Sequence, residues 1–223
     1  TIDIDTTVLP LFGNQEYAVP GPNPKYKGRP SYHPMLARIA ETGTVLGARL
    51  RPGDTSLGEL DTEDLEQWID RLRETVGDDT VITARIDAGG DSSAILRALH
   101  DKGVHFVVKA KQTANLLTAA MLKKNWRTVD EDAFGEPTRQ GAELEFQRAG
   151  WPEGTYRVIA ARTTERLRCR QTCLWEGLDF SVQFYVTNDL YDDIDTLALS
   201  YDARAGVEPL IGELKGSFGI GKV

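Results

Sequence analysis

Three acidic residues lie where secondary structure could bring them together to bind divalent metal ions. Asp5 lies on a first predicted strand, Asp87 ends the apolar strand TVITARI, and Glu208 lies on the last predicted helix. Carboxylate oxygens are ligands that Mg²⁺ and Mn²⁺ prefer. Two such ions roughly 4 Å apart stabilise both the attacking and the leaving oxygen of a phosphoryl transfer. The chain has 34 acidic residues, so the three acids need further support.

The last predicted helix carries a second pattern of spaced residues. Its polar members are three, four and seven residues apart: Tyr201, Arg204, Glu208 and Lys215. On a continuous helix these fall within a ~60° arc at about 100° per residue. Its apolar members form a separate arc expected to pack on a sheet: Val207, Leu210, Ile211, Leu214 and Phe218. Pro209 either kinks this helix or lies in the first turn of a helix that begins anew.

The first half of the chain predicts a mixed α/β sheet that would position these residues. Residues 1–9 alternate apolar and polar side chains, as a half-buried strand does, and a Pro- and Gly-rich loop precedes an antiparallel hairpin turning at Thr42 and Gly43. An amphipathic helix over 57–76, the strand 80–86, a helix capped by Asp91 or Ser92, and the strand 104–110 follow. Three antiparallel strands followed by helix, strand, helix and strand match the ribonuclease-H-like fold.

The second half predicts a β-rich insertion before the last helix. From about 112 to 180 the chain is rich in Arg, Thr and aromatic residues, then FSVQFYVTN returns to a strand and a helix runs from about 194 to 218. We therefore expect a single domain. Its core comprises residues 1–111 and 181–223, and residues 112–180 form the insertion.

The motifs together resemble a group of bacterial insertion-sequence transposases of the DDE type. The spacing Y-(2)-R-(3)-E-(6)-K is the signature of that group, DIDTT resembles its first-Asp motif, and RIDAGGDS resembles its second-Asp strand and loop. The resemblance covers the whole chain. One departure is the run from Ala88 to Asp91, where relatives often carry a Ser-Gly-aromatic run; we interpret Asp91 as the cap of the following helix.

The resemblance implies a function for each group of residues. Asp5, Asp87 and Glu208 would bind two Mg²⁺ or Mn²⁺ ions. Water would attack a phosphodiester at the transposon end, and the freed 3'-hydroxyl would then attack target DNA. The residues implied to hold DNA phosphates are Tyr201, Arg204 and Lys215. Trp175 is the choice for stacking on a flipped base. The implied partners are double-stranded DNA and a second protomer, in a bacterial cytoplasm.

The charge distribution supports a nucleic-acid partner only locally. The formal net charge is -8, and residues 54–79 account for all of it with ten acids against Arg71 and Arg73. Residues 22–51 carry a local excess of five positive charges, from which we select Lys25, Lys27 and Arg29 as DNA contacts. A solvated hairpin surface explains the same charges equally well. No apolar run approaches the roughly 20 residues of a membrane span.

Two other functions remain open at this stage. DIDTT also fits D-x-D-x-T, the opening motif of haloacid-dehalogenase-like phosphatases, with Asp3 as nucleophile and Asp5 as acid/base, and Asp192 and Asp193 could imitate the later acidic motif. Those enzymes use a doubly wound parallel sheet, whereas the first strand here precedes a hairpin. The second alternative is a catalytically inactive DNA-binding module derived from a transposase, because a sequence does not show activity.

Overall fold

A computed structural model describes residues 1–13, 15–23, 27–164 and 180–216. Within these residues a nine-stranded mixed sheet forms the centre of the molecule, and a three-stranded sheet stands beside it. The strands are β1 (Ile2–Thr6), β2 (Leu9–Pro10), β3 (Val19–Pro20), β4 (Pro30–Tyr32), β5 (Met35–Ile39), β6 (Val45–Arg49), β7 (Thr83–Ile86), β8 (His105–Lys109), β9 (Arg127–Glu131), β10 (Pro137–Leu144), β11 (Arg157–Thr164) and β12 (Phe180–Thr187). The helices are α1 (Thr62–Val76), α2 (Ser93–Asp101), α3 (Ala114–Leu122), α4 (Ile194–Asp202) and α5 (Val207–Gly216).

The predicted mixed α/β fold is confirmed. The first five strands of the large sheet lie in the order β6-β5-β1-β7-β8. Strands β1, β7 and β8 are parallel, whereas β5 and β6 are antiparallel to their neighbours. The parallel crossovers pass through α1 and α2, which cover one face of the sheet with side chains such as Leu65, Ile69 and Leu96.

Strand β1 is buried on both faces, which corrects the half-buried strand predicted from its alternation. Ile2 and Ile4 belong to the core beneath α1 and α2, each with 1% of its surface exposed. Asp3 is fully buried on the opposite face, and only 8% of Asp5 is exposed. Helices α4 and α5 lie on that side of the sheet, with α4 over β8 and β10 and α5 against β1. The carboxylates of β1 therefore lie inside the protein rather than in solvent.

Helix α1 shows how its apolar positions produce this packing. Its buried residues Leu65, Trp68, Ile69 and Leu72 recur at helical spacing, while its acids face outward. The indole of Trp68 lies against Gly47 of β6, where an added Cβ would stand 2.1 Å from the ring. A side chain at position 47 would therefore push α1 away from the sheet.

The described part of the β-rich segment continues the main sheet. Strand β12 pairs antiparallel with β8, and the order then runs β12-β11-β10-β9. Residues 112–164 thus contribute α3 and the three strands β9, β10 and β11, which extend the sheet beyond β12. The division into a core and an insertion stays a prediction. Residues 165–179, which include Trp175, lie outside the described residues.

Of the two alternatives that Pro209 left open for the helix predicted over about 194–218, the structure has a helix that begins anew. Helix α4 ends at Asp202, a 3-10 turn spans Ala203–Gly206, and α5 begins at Val207. Pro209 therefore lies in the first turn of α5, where its missing N–H would have no helical partner. Helix α4 packs through Ile194, Leu197 and Tyr201 on the face opposite α1 and α2. No helix of the described segments is both long and apolar enough to cross a membrane.

The three-stranded sheet lies at the edge where β1 ends. Its order is β2-β4-β3, and it comprises the chain between β1 and β5. Because β5 begins where β1 ends, with Met35 opposite Thr6, the small sheet stands at the carboxyl end of β1. Gly53 fits closely against it, since an added Cβ would come within 2.4 Å of the carbonyl oxygen of Val19.

Candidate active site

Asp5 and Asp87 lie side by side at the end of two neighbouring parallel strands. The register pairs Ile4 of β1 with Ile86 of β7, and each aspartate is the next residue of its chain. The charge of Asp87 is one of the influences that raise the pKa of Asp5. The sequence prediction that these two acids converge is therefore consistent with the register.

The surroundings of Asp5 combine burial with positive charge. Burial raises the pKa of the Asp5 carboxyl, the charge of Arg204 lowers it, and the charge of Asp87 raises it, so that the net shift is upward. The Nη2 atom of Arg204 lies 2.7 Å from Oδ1 of Asp5. The backbone N–H of Thr6 also donates to Oδ1, at 2.8 Å. The site thus stabilises an ionised Asp5 only in part, and a nearby cation favours its charged form.

Asp87 is held by a tight glycine turn. Its Oδ1 accepts the N–H of Gly89 at 2.9 Å, which caps the 3-10 turn Ala88–Gly90. A Cβ on Gly90 would stand 2.3 Å from Cγ2 of Ile86, so the chain can fold back here only without a side chain. The run that departs from the family pattern therefore orients the Asp87 carboxylate.

Asp91 does not cap the following helix, which corrects our interpretation. Ser92 occupies the N-cap position of α2 without a side-chain hydrogen bond. Both carboxylate oxygens of Asp91 accept from the guanidinium of Arg148, and Oδ2 also accepts the N–H of Lys111 at 2.7 Å. The Asp91 side chain is fully buried. Asp91 thereby connects the turn after Asp87 to Lys111, just after β8, and to Arg148, in the loop after β10.

Asp3 is engaged within the protein, which removes the phosphatase alternative. Its Oδ1 accepts Nε of Arg85 at 2.6 Å and its Oδ2 accepts Nη2 of Arg85 at 2.9 Å. A nucleophilic carboxylate needs access to its substrate, whereas Asp3 is fully buried. The mixed sheet also differs from the doubly wound parallel sheet of those phosphatases.

Tyr201 and Arg204 of the helix signature lie on two elements, α4 and the 3-10 turn after it, rather than on the one continuous helix that the wheel assumes. Tyr201 is buried on α4 and its ring lies 4.8 Å from that of Tyr185; burial raises the pKa of Tyr201 to about 12. Arg204 is buried in the 3-10 turn and points to Asp5. Its Nε has no hydrogen-bond acceptor among the described residues. The break in the helix explains the difference, because a wheel assumes one continuous axis.

Helix α5 brings the end of the signature to the same place. The helix lies against β1. Burial lowers the pKa of the Lys215 ammonium and the charge of Asp5 raises it, with a net downward shift. Lys215 therefore lies in the electric field of Asp5. Glu208 is the second residue of α5, and its side chain lies outside the described part of the structure.

The predicted metal site is only partly within the described structure. Among the described side chains no three His, Cys, Asp or Glu residues cluster closely enough to hold a metal ion. The described contribution is the pair Asp5 and Asp87, whose charges repel each other in a buried setting. Two such oxygen donors fit a hard divalent cation, which would relieve that repulsion. The third donor predicted is Glu208.

The basic segment is less positive than its composition indicates. Arg49 forms an ion pair with Asp64 of α1, and both Asp61 carboxylate oxygens accept from Arg51, each at 2.9 Å. The acidic stretch thus neutralises part of the basic stretch beside it. Lys27 is exposed in the turn between β3 and β4.

Arg29 lies over an exposed aromatic ring, whereas the described tryptophan Trp151 belongs to the core. The guanidinium of Arg29 lies 4.2 Å from the ring centre of Phe12, a side chain that is 70% exposed. Lys25 and Trp175 lie outside the described residues. Trp151 packs edge-on against Tyr156 with ring centres 5.2 Å apart, as a core residue.

Sequence reasoning missed the arginines that hold α4 in place. Arg85 of β7 donates from Nη1 to the carbonyl oxygen of Ser200 at 2.8 Å. Arg139 of β10 forms an ion pair with Asp202, the last residue of α4. One signal was available for Arg85: it lies two residues before Asp87, and hence on the same face of its strand.

Comparisons with known proteins agree with this architecture. The family model described as "Transposase DDE domain group 1" matches residues 1–223. A cryo-EM structure of a piggyBac transposase synaptic complex with hairpin DNA matches with a TM-score of 0.56 and 10% sequence identity, over 96% of this chain and 40% of that chain. This likeness shows the fold alone. No curated protein matches the chain. Because the family model covers it completely, the chain belongs to the family Transposase DDE domain group 1.

Proposed function

We propose that this chain is the catalytic domain of an insertion-sequence transposase that cleaves DNA and joins its ends to a target. The observation that carries the proposal is the convergence of Asp5 and Asp87 at the end of β1 and β7. Membership of a DDE transposase family makes this pair the natural candidate for its first two acids. The strand order β6-β5-β1-β7-β8 further supports a ribonuclease-H-like sheet as the scaffold.

The proposed site needs divalent metal ions, Mg²⁺ or Mn²⁺, held by Asp5, Asp87 and Glu208. When bound, two such ions would supply a nucleophile at neutral pH and offset the charge that develops on the attacked phosphate. The protein itself fixes the donors. Asp5 and Asp87 stand at the ends of rigid strands, and the Gly89 N–H orients Asp87. Preorganised donors of this kind lose little entropy when a substrate binds.

Arg204 and Lys215 would bind the phosphates next to the cut. Arg204 is buried, yet its Nε lacks an acceptor among the described residues. A buried guanidinium without a full set of acceptors favours an anionic ligand, and a phosphate accepts from it in a bidentate manner. Tyr201 would act through packing, because its ring is buried against Tyr185. Its phenol stays neutral at physiological pH since its pKa is about 12.

The reaction and partners follow from these assignments. Water would attack a phosphodiester at the transposon end, releasing a 3'-hydroxyl that then attacks target DNA. Double-stranded DNA would approach the carboxylate edge past the small sheet, where Lys27 and Arg29 lie. A homodimer would hold two transposon ends in one synaptic complex, in a bacterial cytoplasm. These partners concern the full-length protein, since the chain spans 40% of the length of the transposase chain it resembles.

The test is metal-dependent cleavage of terminal inverted repeats by the full-length protein. We expect nicking with Mg²⁺ or Mn²⁺, and its loss in Glu208→Gln and Asp87→Asn with unchanged DNA affinity at low metal. Undiminished nicking by Glu208→Gln would remove Glu208 from the site. An inactive DNA-binding module would instead bind the repeats and cut nothing under any metal condition.

A further inference from the structure

The buried ion pair between Asp3 and Arg85 connects the two strands that end in the site carboxylates. The residues are directly opposite in the β1–β7 register. The side chains are 1% and 6% exposed and make two parallel hydrogen bonds of 2.6 and 2.9 Å. Asp5 and Asp87 follow them two residues later on the same faces of the strands. A displacement of this pair would therefore also displace Asp5 and Asp87.

Arg85 also reaches the segment that delivers Arg204. Its Nη1 donates to the Ser200 carbonyl oxygen at 2.8 Å, in the last turn of α4. Four residues further on, Arg204 lies 2.7 Å from Asp5. On the other side of this turn, Arg139 pairs with Asp202 and its Nη2 lies 3.4 Å from the Tyr185 hydroxyl. The turn is thus held between an arginine of β7 and an arginine of β10.

We propose that Asp3 and Arg85 are a positioning pair that fixes the end of α4, and with it Arg204, relative to Asp5 and Asp87. Arg85 is suited to this because its planar guanidinium offers a carboxylate-binding side and a further donor in fixed directions. One side chain then locks three elements together: β1, β7 and α4. The inference rests on the proposed function for its effect on the reaction, but the geometric effect stands independently.

Stability alone does not explain this pair. A buried ion pair is often no more stabilising than well-packed apolar residues of similar volume, since both charges lose their hydration. What apolar residues lack is a donor for the Ser200 carbonyl. The chain also offers a control: Arg51 and Asp61 form another buried ion pair, in which Nη1 of Arg51 donates to both carboxylate oxygens and the side chains are 3% and 2% exposed. In that pair Arg51 also donates to the carbonyl oxygen of His33 and Asp61 also accepts from the N–H of Gly58, and neither bond involves α4.

The test compares three variants of the full-length protein: Arg85→Lys, the double variant Asp3→Leu with Arg85→Met, and Arg51→Lys as control. The first readout is hydrogen exchange of backbone amides 196–204. We expect exchange in this segment to be at least about tenfold faster in both Arg85 variants than in Arg51→Lys. In these variants the segment can open without breaking the hydrogen bond from Arg85 to the Ser200 carbonyl, so local opening costs less free energy. The double variant removes both buried charges together and leaves neither without its partner, so we expect it to fold with near wild-type stability.

The second readout is single-turnover cleavage of saturating end DNA. Displacement of Arg204 should lower the rate about 10- to 100-fold in both Arg85 variants, with the Kd for DNA nearly unchanged. Exchange equal to that of Arg51→Lys, or wild-type cleavage by the double variant, would overturn the proposal. If the wild-type protein cleaves no DNA, the proposed function fails, and exchange alone then decides the positioning role.

Discussion

Replacing Asp91 by alanine will lower the free energy of unfolding by about 3 kcal/mol, the low end of the cost of removing one partner of a buried ion pair. The low end applies because the Arg148 side chain is 23% exposed, so water can reach the freed guanidinium. The variant also leaves the Lys111 N–H without its acceptor at 2.7 Å. If Asp91 were merely a helix cap, the loss would be about 1 kcal/mol.

The measurement is urea-induced unfolding followed by tryptophan fluorescence, with the slope of free energy against urea checked for each variant. Ser92→Ala is the control, because Ser92 is the N-cap residue of α2 and makes no side-chain cap bond. Its effect should stay within about 0.5 kcal/mol. A loss near 1 kcal/mol in Asp91→Ala, or a loss in Ser92→Ala as large as that in Asp91→Ala, would refute the buried-pair reasoning.

Three further predictions concern the site and its surface. Burial raises the pKa of Asp5 in the folded protein, so ionisation of Asp5 favours unfolding. The free energy of unfolding of the wild type, relative to that of Asp5→Asn, should therefore fall as pH rises from about 3 to 7. Urea unfolding curves that give the same difference in free energy at every pH would contradict this. Burial raises the pKa of Tyr185 and Tyr201 to about 12. In an alkaline titration followed by tyrosinate absorbance, either Tyr→Phe variant should therefore lose absorbance change near pH 12. Loss of absorbance change near the ordinary tyrosine pKa of about 10 would argue against burial. Lys27→Glu and Arg29→Glu should each weaken binding of end DNA and reduce its salt dependence by about one phosphate contact, and an unchanged salt slope would place these residues outside the interface.

The succession of strands and helices in the first half of the chain and the buried face of one helix could be predicted from sequence because both depend on local periodicity. The spacing of Leu65, Trp68 and Ile69 identifies the buried face of α1, and the structure buries all three. Alternation on β1 separated Ile2 and Ile4 from the aspartates correctly. It could not show that the aspartate face is also covered, because a period of two reports only that the faces differ.

The site was less predictable because it depends on register and on a helix break. The pairing of Asp3 with Arg85 follows from the parallel register of two strands about 80 residues apart, to which no local pattern points. A helical wheel assumes a straight axis, whereas here α4 buries Tyr201 through its own packing and the 3-10 turn before α5 carries Arg204 to Asp5. Pro209 was the warning in the sequence, since its presence favours a helix that restarts.

The ion pairs of the basic segment illustrate a third limit. Composition assigns a positive charge to residues 22–51 and a negative charge to residues 54–79. Packing of β6 beside α1 brings Arg49 to Asp64, and the pair Arg51 and Asp61 is buried close by. Charges counted along a chain predict a binding surface only when the fold leaves them unpaired.

The most direct test of the central claim is to map the metal ligands of the full-length protein with Fe²⁺. Fe²⁺ that replaces Mg²⁺ in the presence of ascorbate and peroxide generates radicals that cut the backbone close to the bound ion. If Asp5, Asp87 and Glu208 hold the metal, cuts should fall near these three positions, disappear with excess Mg²⁺, and be lost in Asp87→Asn. Cuts elsewhere, or cuts that persist unchanged in Asp87→Asn, would contradict the assignment.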